Sequence, residues 1–299
     1  MTGGGPAARG GPAAARRGHR RRARSRRPRM RPVIITGLGW LVAVVVLAPY
    51  AQMLLTALKP RRELMESPPG YLPSSWHWSN FAEVWRAAPI GTHLRVSLVV
   101  SVAATALALA AALPAAYYTA RYRFRGRGAF LLLVLVTQMF APTALLIGIY
   151  REMVVLDLTD TYAALILVNA AFNLPFSIWI LNAYFSGIPR ELEEAAWLDG
   201  CGRAAAMARV TLPLSLPGVV TAVIYTFIGA WNEYVVALTV QATPERQPLT
   251  VAIPSFVTQY QEQWQYLFAA SLIAIAPVVF LFVAIERYLV SGLTVGGVK

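Results

Sequence analysis

Residues 186–213 read SGIPRELEEAAWLDGCGRAAAMARVTLP, a charged interval between two apolar runs. Pro189 suits the first turn of a helix, where its missing N–H is no loss. Glu191, Glu193 and Glu194 complement the positive end of that helix's dipole. Leu192, Ala195, Ala196 and Leu198 or Asp199 recur at spacings of three and four, which predicts a short amphipathic helix with an apolar face of mainly small residues. Gly200 and Gly202 break it, and a second helical stretch from Arg203 to Val210 leads to Leu212 and Pro213. The expected product is a bent helical elbow lying across one face of a membrane, with a membrane-spanning helix on each side of it.

Both flanks meet that requirement. Residues 163–184 and 214–238 are apolar over the roughly 20 residues that a helix needs to cross a bilayer. Runs of similar length at 33–58, 96–120, 129–150 and 267–285 bring the expected number of spans to six. The first run follows an Arg-rich start, as a secretory signal would, but its 26 charge-free residues exceed the roughly 7–15 of a signal's apolar core. It reads as an uncleaved span, with cleavage at the small residues around Ala48 and Ala51 as the alternative. Lys and Arg concentrate in cytoplasmic segments. With both termini cytoplasmic, the segments on that side hold 20 of the 27 basic residues, and the elbow faces the cytoplasm.

Each expected span holds one proline: Pro49, Pro114, Pro142, Pro175, Pro217 and Pro277. An interior proline costs a helix a hydrogen bond, which membranes tolerate where neighbouring helices or water satisfy the freed carbonyl. Ordinary kinking and hinges in moving helices both fit. The two longer outside loops, 59–95 and 241–265, read as docking or lid surfaces and are too short to be soluble binding domains.

Composition agrees. The chain of 299 residues is 57% hydrophobic and 14% charged, where soluble domains carry about a quarter charged residues. A net charge of +13 would suit nucleic acid, but 11 of the 27 basic residues fall within residues 1–32. That tract lacks apolar periodicity and reads as a disordered cytoplasmic tail, leaving 33–299 as the membrane domain and no nucleic-acid partner. The single Cys201 excludes an internal disulfide or a cysteine cluster. His19, His77 and His93 have no metal-ligand spacing.

Energy coupling must come from elsewhere. A phosphate-cradling loop needs a Gly-Lys pair, and the two lysines, Lys59 and Lys299, follow Leu58 and Val298. No zinc-protease or nucleophile-elbow motif occurs, so enzyme activity is not expected. Ion-coupled carriers keep ionisable groups inside the bundle. Here the one acidic residue within the six runs is Glu233, 19 positions beyond Leu214, which at ~1.5 Å per residue is ~28 Å along the helix. It reads as a solvated carboxylate at the outer interface, with a buried functional one as the alternative.

Glu194, Ala195 and Ala196, followed by Asp199 and Gly200 and then Val210, Leu212 and Pro213, resemble the EAA loop of bacterial ABC importer permeases, with Val210 where isoleucine is usual. Trp231 to Tyr234 and the C-terminal run from Glu286 to Lys299 resemble the carbohydrate branch, similar to the smaller membrane subunit of the maltose system. The resemblance covers residues 33–299. It implies an all-α integral protein of the bacterial inner membrane with six transmembrane helices. It also implies that Glu194, Ala195, Ala196, Asp199, Gly200, Leu212 and Pro213 couple to a cytoplasmic ATPase dimer, with Ser291 to Lys299 as a weaker contact. That ATPase would bind ATP and Mg. A second permease, an extracytoplasmic solute-binding protein and a carbohydrate solute complete the implied partners. For the solute path, Asn169 and Asn173 lie one turn apart near mid-bilayer, and Gln138 is a similar candidate. Such groups either bond neighbouring helices or line a wet path. An ABC permease for another solute and a self-sufficient secondary carrier are the alternatives.

Overall fold

The computed structural model describes residues 30–66, 70–258 and 262–295, and the chain divides into two units, Met1–Ala48 and Pro49–Lys299. In the first, α1 (Met30–Ala57) begins; its candidate span, Ile35–Ala57, has 23 residues. Of the tail expected over residues 1–32, residues 1–29 lie outside the described residues, as do 296–299 of the expected C-terminal contact.

The second unit is helical apart from one isolated bridge, Val257 to Glu262, among the described residues. In chain order it holds α2 (Arg61–Leu64), α3 (Asn80–Ala87), α4 (Ile90–Arg121), α5 (Arg127–Thr137), α6 (Pro142–Val155) and α7 (Tyr162–Gly187). Then come α8 (Glu191–Leu198), α9 (Arg203–Ala206), a π-helical segment (Met207–Thr211), α10 (Leu212–Leu214) and α11 (Leu216–Trp231). The chain ends with α12 (Val235–Val240), α13 (Leu249–Ala252) and α14 (Trp264–Val295).

Four helices, α1, α4, α7 and α14, are long and apolar enough to cross a membrane unbroken, and two bent pairs raise the number to six if each pair is one span. The expected third span, 129–150, is one of these. It breaks between α5 and α6, which meet at 96°. Ala141 is extended (φ −65°, ψ 133°) and Pro142 opens the next helix, because a residue before proline is driven out of the helical region. Helix α6 also runs past Tyr150 to Val155, so Arg151 and Glu152 belong to an apolar helix and Glu233 is not alone. The expected fifth span is interrupted too: α11 stops at Trp231 and helix resumes at Val235. Glu233, expected to be solvated, is half-buried and caps α12, accepting from the Val236 N–H at 2.7 Å and the Ala237 N–H at 2.9 Å.

The frame of the second unit is the long contact of α4 with α7, which run parallel, and α11 also packs on both. Ser97, Ser101, Thr105, Ala108, Ala112, Ala116 and Ala120 fall at steps of three or four along α4, and all are buried. Small side chains at that period let two helix backbones approach closely, which is what drives helix association where lipid is as apolar as leucine. Asn182 of α7 crosses the seam to donate to Thr119 Oγ1 at 2.8 Å. Tyr117, Ile178, Leu181, Phe185 and Ala222 form the core at the elbow end. Val96, Met153, Leu165, Val168 and Val240 form it at the far end.

At the far end Asp160, held at φ +57°, fastens the turn before α7 to the segment after α12. Its carboxylate accepts from the Ala242 and Thr243 N–H groups at 3.1 and 3.0 Å and pairs with Arg246 at 3.2 Å. The hydrogen bonds from Thr243, then Arg246, hold the carboxyl below the ordinary aspartate range. A depressed folded-state value means this clamp contributes in full above the unfolded value and is lost as pH falls through the folded one. Asparagine also tolerates a left-handed backbone, so Asp160→Asn isolates the charge. Thermal unfolding of the purified variant, followed from neutral pH into strong acid, is expected to start lower at neutral pH and to lose less in acid than the parent. Equal acid losses would assign the effect to another group.

Candidate functional site

Helix α8 is short and ends in a defined way. Gly200 sits at φ +85°, its N–H donates to Trp197 O at 3.0 Å, and the Cys201 N–H donates to Ala196 O at 2.9 Å. This pair of reversed bonds is the Schellman closure, which needs a left-handed residue just past the helix. The glycine at that fixed offset from Glu194 thus has a backbone reason.

The faces of α8 are inverted relative to an ordinary surface helix. Leu198 is 90% exposed, Leu192 45% and Trp197 38%; Glu194, Ala195, Asp199 and Gly200 are exposed and Ala196 is half-buried. Glu193 alone among the residues of α8 is buried, at 2%. Its carboxylate lies against α4. Arg121 Nε donates to Oε1 at 2.7 Å, and Tyr117 OH donates to Oε2 at 2.9 Å. Arg121 Nη2 lies 2.7 Å from the same Oε1 as an ion-pair contact, and Nη1 donates to Ile188 O at 2.9 Å. Thr211 Oγ1 donates to Glu193 Oε1 from the other limb of the elbow. A buried carboxylate with this many donors satisfies the requirement that buried charges be paired and hydrogen-bonded.

The second limb differs from expectation. Helix does not stop at Leu212 and Pro213 but runs through them to Leu214, and the 82° bend falls at Ser215. Before Pro213 the backbone widens into a π turn, in which the Leu212 N–H reaches back to Met207 O. Such wide turns recur where a helix must absorb a defect, and Pro213 supplies one by lacking the N–H that would bond Arg209. Leu212 is half-buried and Pro213 exposed.

The three solute-path candidates separate. Asn169 and Asn173 are 3% and 8% exposed, and each donates to the carbonyl one turn back, Leu165 O at 2.9 Å and Asn169 O at 2.8 Å. Asn173 belongs to the α7–α11 seam, where a Cβ on Gly229 would lie 3.2 Å from its Cγ. Ser177 and Thr226 meet at 2.8 Å in the same seam. Gln138 sits at the α5–α6 break, donates to Phe172 O at 2.9 Å, and lines a cavity of about 510 Å³ with Phe140, Glu152, Phe172 and Pro175.

Reading the sequence missed Glu193, Arg121, Tyr117 and Thr211. Three glutamates in one helical turn all looked alike to a dipole argument. The available signal was Arg121, an arginine closing an apolar run and in need of a counter-charge.

Residues 105–295, which include both limbs of the elbow, the second half of α4 and all of α7, match the family described as binding-protein-dependent transport system inner membrane component. The chain belongs to that family. As such a component it is a multi-pass protein of the bacterial inner membrane and a permease subunit of an ABC importer. The diacetylchitobiose uptake system permease protein DasC of Streptomyces coelicolor is 36% identical over 251 residues, covering 84% of this chain and 91% of DasC. The sulfoquinovosyl glycerol transport system permease protein SmoH of Agrobacterium fabrum is 34% identical over 253 residues, covering 85% and 89%. A solved bacterial ABC transporter involved in importing the acidic polysaccharide alginate shares the inner membrane component's fold. Its TM-score is 0.74 at 22% identity, over 88% of this chain and 98% of that one.

Proposed function

We propose that this permease imports a carbohydrate, and that α8 is the helix through which a separate cytoplasmic ATPase drives it. The observation that carries the coupling reading is the inverted α8, with Leu192, Trp197 and Leu198 exposed around one buried carboxylate. A short helix that turns its large apolar residues outward and anchors itself through a charge is built to receive another protein. Glu194, Ala195, Ala196, Asp199 and Gly200 form or close that surface, and Leu212 and Pro213 join it to α11. On this reading both termini and the elbow are cytoplasmic. ATP and Mg are bound by the ATPase dimer, not by this chain. An extracytoplasmic binding protein delivers the solute, and a second permease pairs with this one.

Carbohydrate is favoured because DasC and SmoH are named for diacetylchitobiose and sulfoquinovosyl glycerol uptake. For the solute path, Gln138 is favoured over Asn169 and Asn173, since it lines the cavity beside Glu152 while the asparagines bond within α7.

Affinity purification of the tagged chain in mild detergent tests this. The expected result is capture of an ATPase and a second permease, with ATP hydrolysis stimulated by the binding protein and its sugar. Glu194→Lys or Gly200→Asp is expected to leave membrane insertion intact and abolish the stimulation. Normal uptake in both variants would sink the coupling reading, and a chain that purifies alone and transports without ATP would make it a carrier.

A further inference from the structure

Glu193 and Arg121 are absent from the exposed face of α8, yet they form the most heavily bonded cluster of the elbow. Side chains at the end of α4 and at Tyr122, the residue just past it, hold both limbs. Glu193 of α8 is bonded to Arg121 and Tyr117, and the guanidinium of Arg203, which opens α9, lies 5.6 Å from the centre of the Tyr122 ring. Thr211 closes the cluster by donating to Glu193 from the π segment. Arg121 also fastens Ile188, the residue that ends α7.

Two routes lead from α8 into the bundle. Along the chain, a displacement meets a left-handed Gly200, an extended Gly202, the π turn and the 82° bend at Ser215. Each is a joint at which a push is dissipated as rotation. Through the side chains it meets charge-assisted bonds between groups no more than 8% exposed, which are the strong class of hydrogen bond. Beyond them lies α4, an unbroken helix of 32 residues, or ~48 Å, seated along α7. A buried ion pair contributes little net stability over an apolar pair, and its best-attested use is to fix register.

Resting on the coupling reading above, we propose that Glu193 and Arg121 are positioning residues that clamp the elbow to the end of α4, so that α8 and α4 move as one body against α11. Energetic coupling requires such a contiguous physical connection.

Spin labels test it in the assembled transporter, with Mg-ATP and vanadate as the probe and Cys201→Ser as the background. One label pair joins α8 to α4 (Glu191→Cys with Val102→Cys), the other α8 to α11 (Glu191→Cys with Tyr225→Cys). The α8–α4 distance is expected to be the same with and without trapped nucleotide, while the α8–α11 distance shifts by about 1–2 Å or more, the scale of helix shifts in switching proteins. Glu193→Gln and Thr211→Val should make the α8–α4 distance nucleotide-dependent, and Thr211→Ser, which keeps the hydroxyl, should not. Thr211→Val and Thr211→Ser decide the matter alone if Glu193→Gln fails to assemble. An α8–α4 distance that changes in the parent as much as α8–α11 overturns the inference. So do assembled Glu193→Gln and Thr211→Val variants in which that distance stays fixed, the result of a purely structural role. A parent in which nucleotide moves neither distance overturns the coupling reading itself.

Discussion

Gly218→Leu is expected to prevent α11 from seating on α7 and to remove most of the folded protein recovered in detergent. A Cβ at this position would lie 2.7 Å from Tyr184 Cβ, an atom fixed to the α7 backbone that no rotamer change can withdraw. Overpacking of this kind costs about 1–3 kcal/mol and sometimes more, and leucine adds three further carbons. The helix propensity gained by replacing glycine is about 1 kcal/mol at most, so the collision wins even for alanine. Size-exclusion profiles and thermal unfolding would report it. Tyr184→Gly in the same chain removes that Cβ and should recover part of the loss for Gly218→Ala, and its failure to do so would place the clash elsewhere.

Glu193→Ala is the second large effect. It strands the Arg121 guanidinium, whose side chain is 6% exposed, with no counter-charge among the described residues. Removing one member of a buried pair costs about 3–5 kcal/mol, whereas replacing both with apolar groups is often neutral or better. The expectation is a large fall in unfolding temperature for Glu193→Ala, and a clearly smaller one for Arg121→Met with Glu193→Leu. Equal effects in the single and double variants would mean that the pair is solvated and contributes little.

How far the sequence foretold these sites varies with the kind of signal. Apolar runs announced the membrane helices, because twenty uncharged residues admit few other readings. They did not announce where the helices break. Pro114, Pro175 and Pro277 remain inside continuous helices while Pro142 starts a new one, within a stretch, residues 135–145, that is exposed throughout. The elbow was legible as two helical limbs around Gly200, since capping and dipole rules are local. Its second limb was expected to end at Leu212 and Pro213 and instead runs on to Leu214, with the bend at Ser215, because the π turn absorbs the proline first. Glu193 was seen as one of three equivalent glutamates, and only the fold brings Arg121, 72 positions earlier, to distinguish it. Asn169 and Asn173 were weighed as bonding neighbouring helices or lining a path, and each donates instead to a carbonyl of its own helix, Leu165 O and Asn169 O.

The break between α5 and α6 has a consequence for the chain on its own. Gln138 bonds to Phe172, ten residues into the 26 of α7, so the break is level with the middle of a spanning helix. Met139 and Phe140 there are 82% and 54% exposed, and the ends of two helices leave carbonyl and amide groups that hydrocarbon cannot solvate. For such a surface, lipid is a poor solvent. The solitary chain is therefore an incomplete solute of the bilayer, and it reaches a favourable hydration or pairing of its backbone only when water or a neighbouring subunit takes the lipid's place at that level.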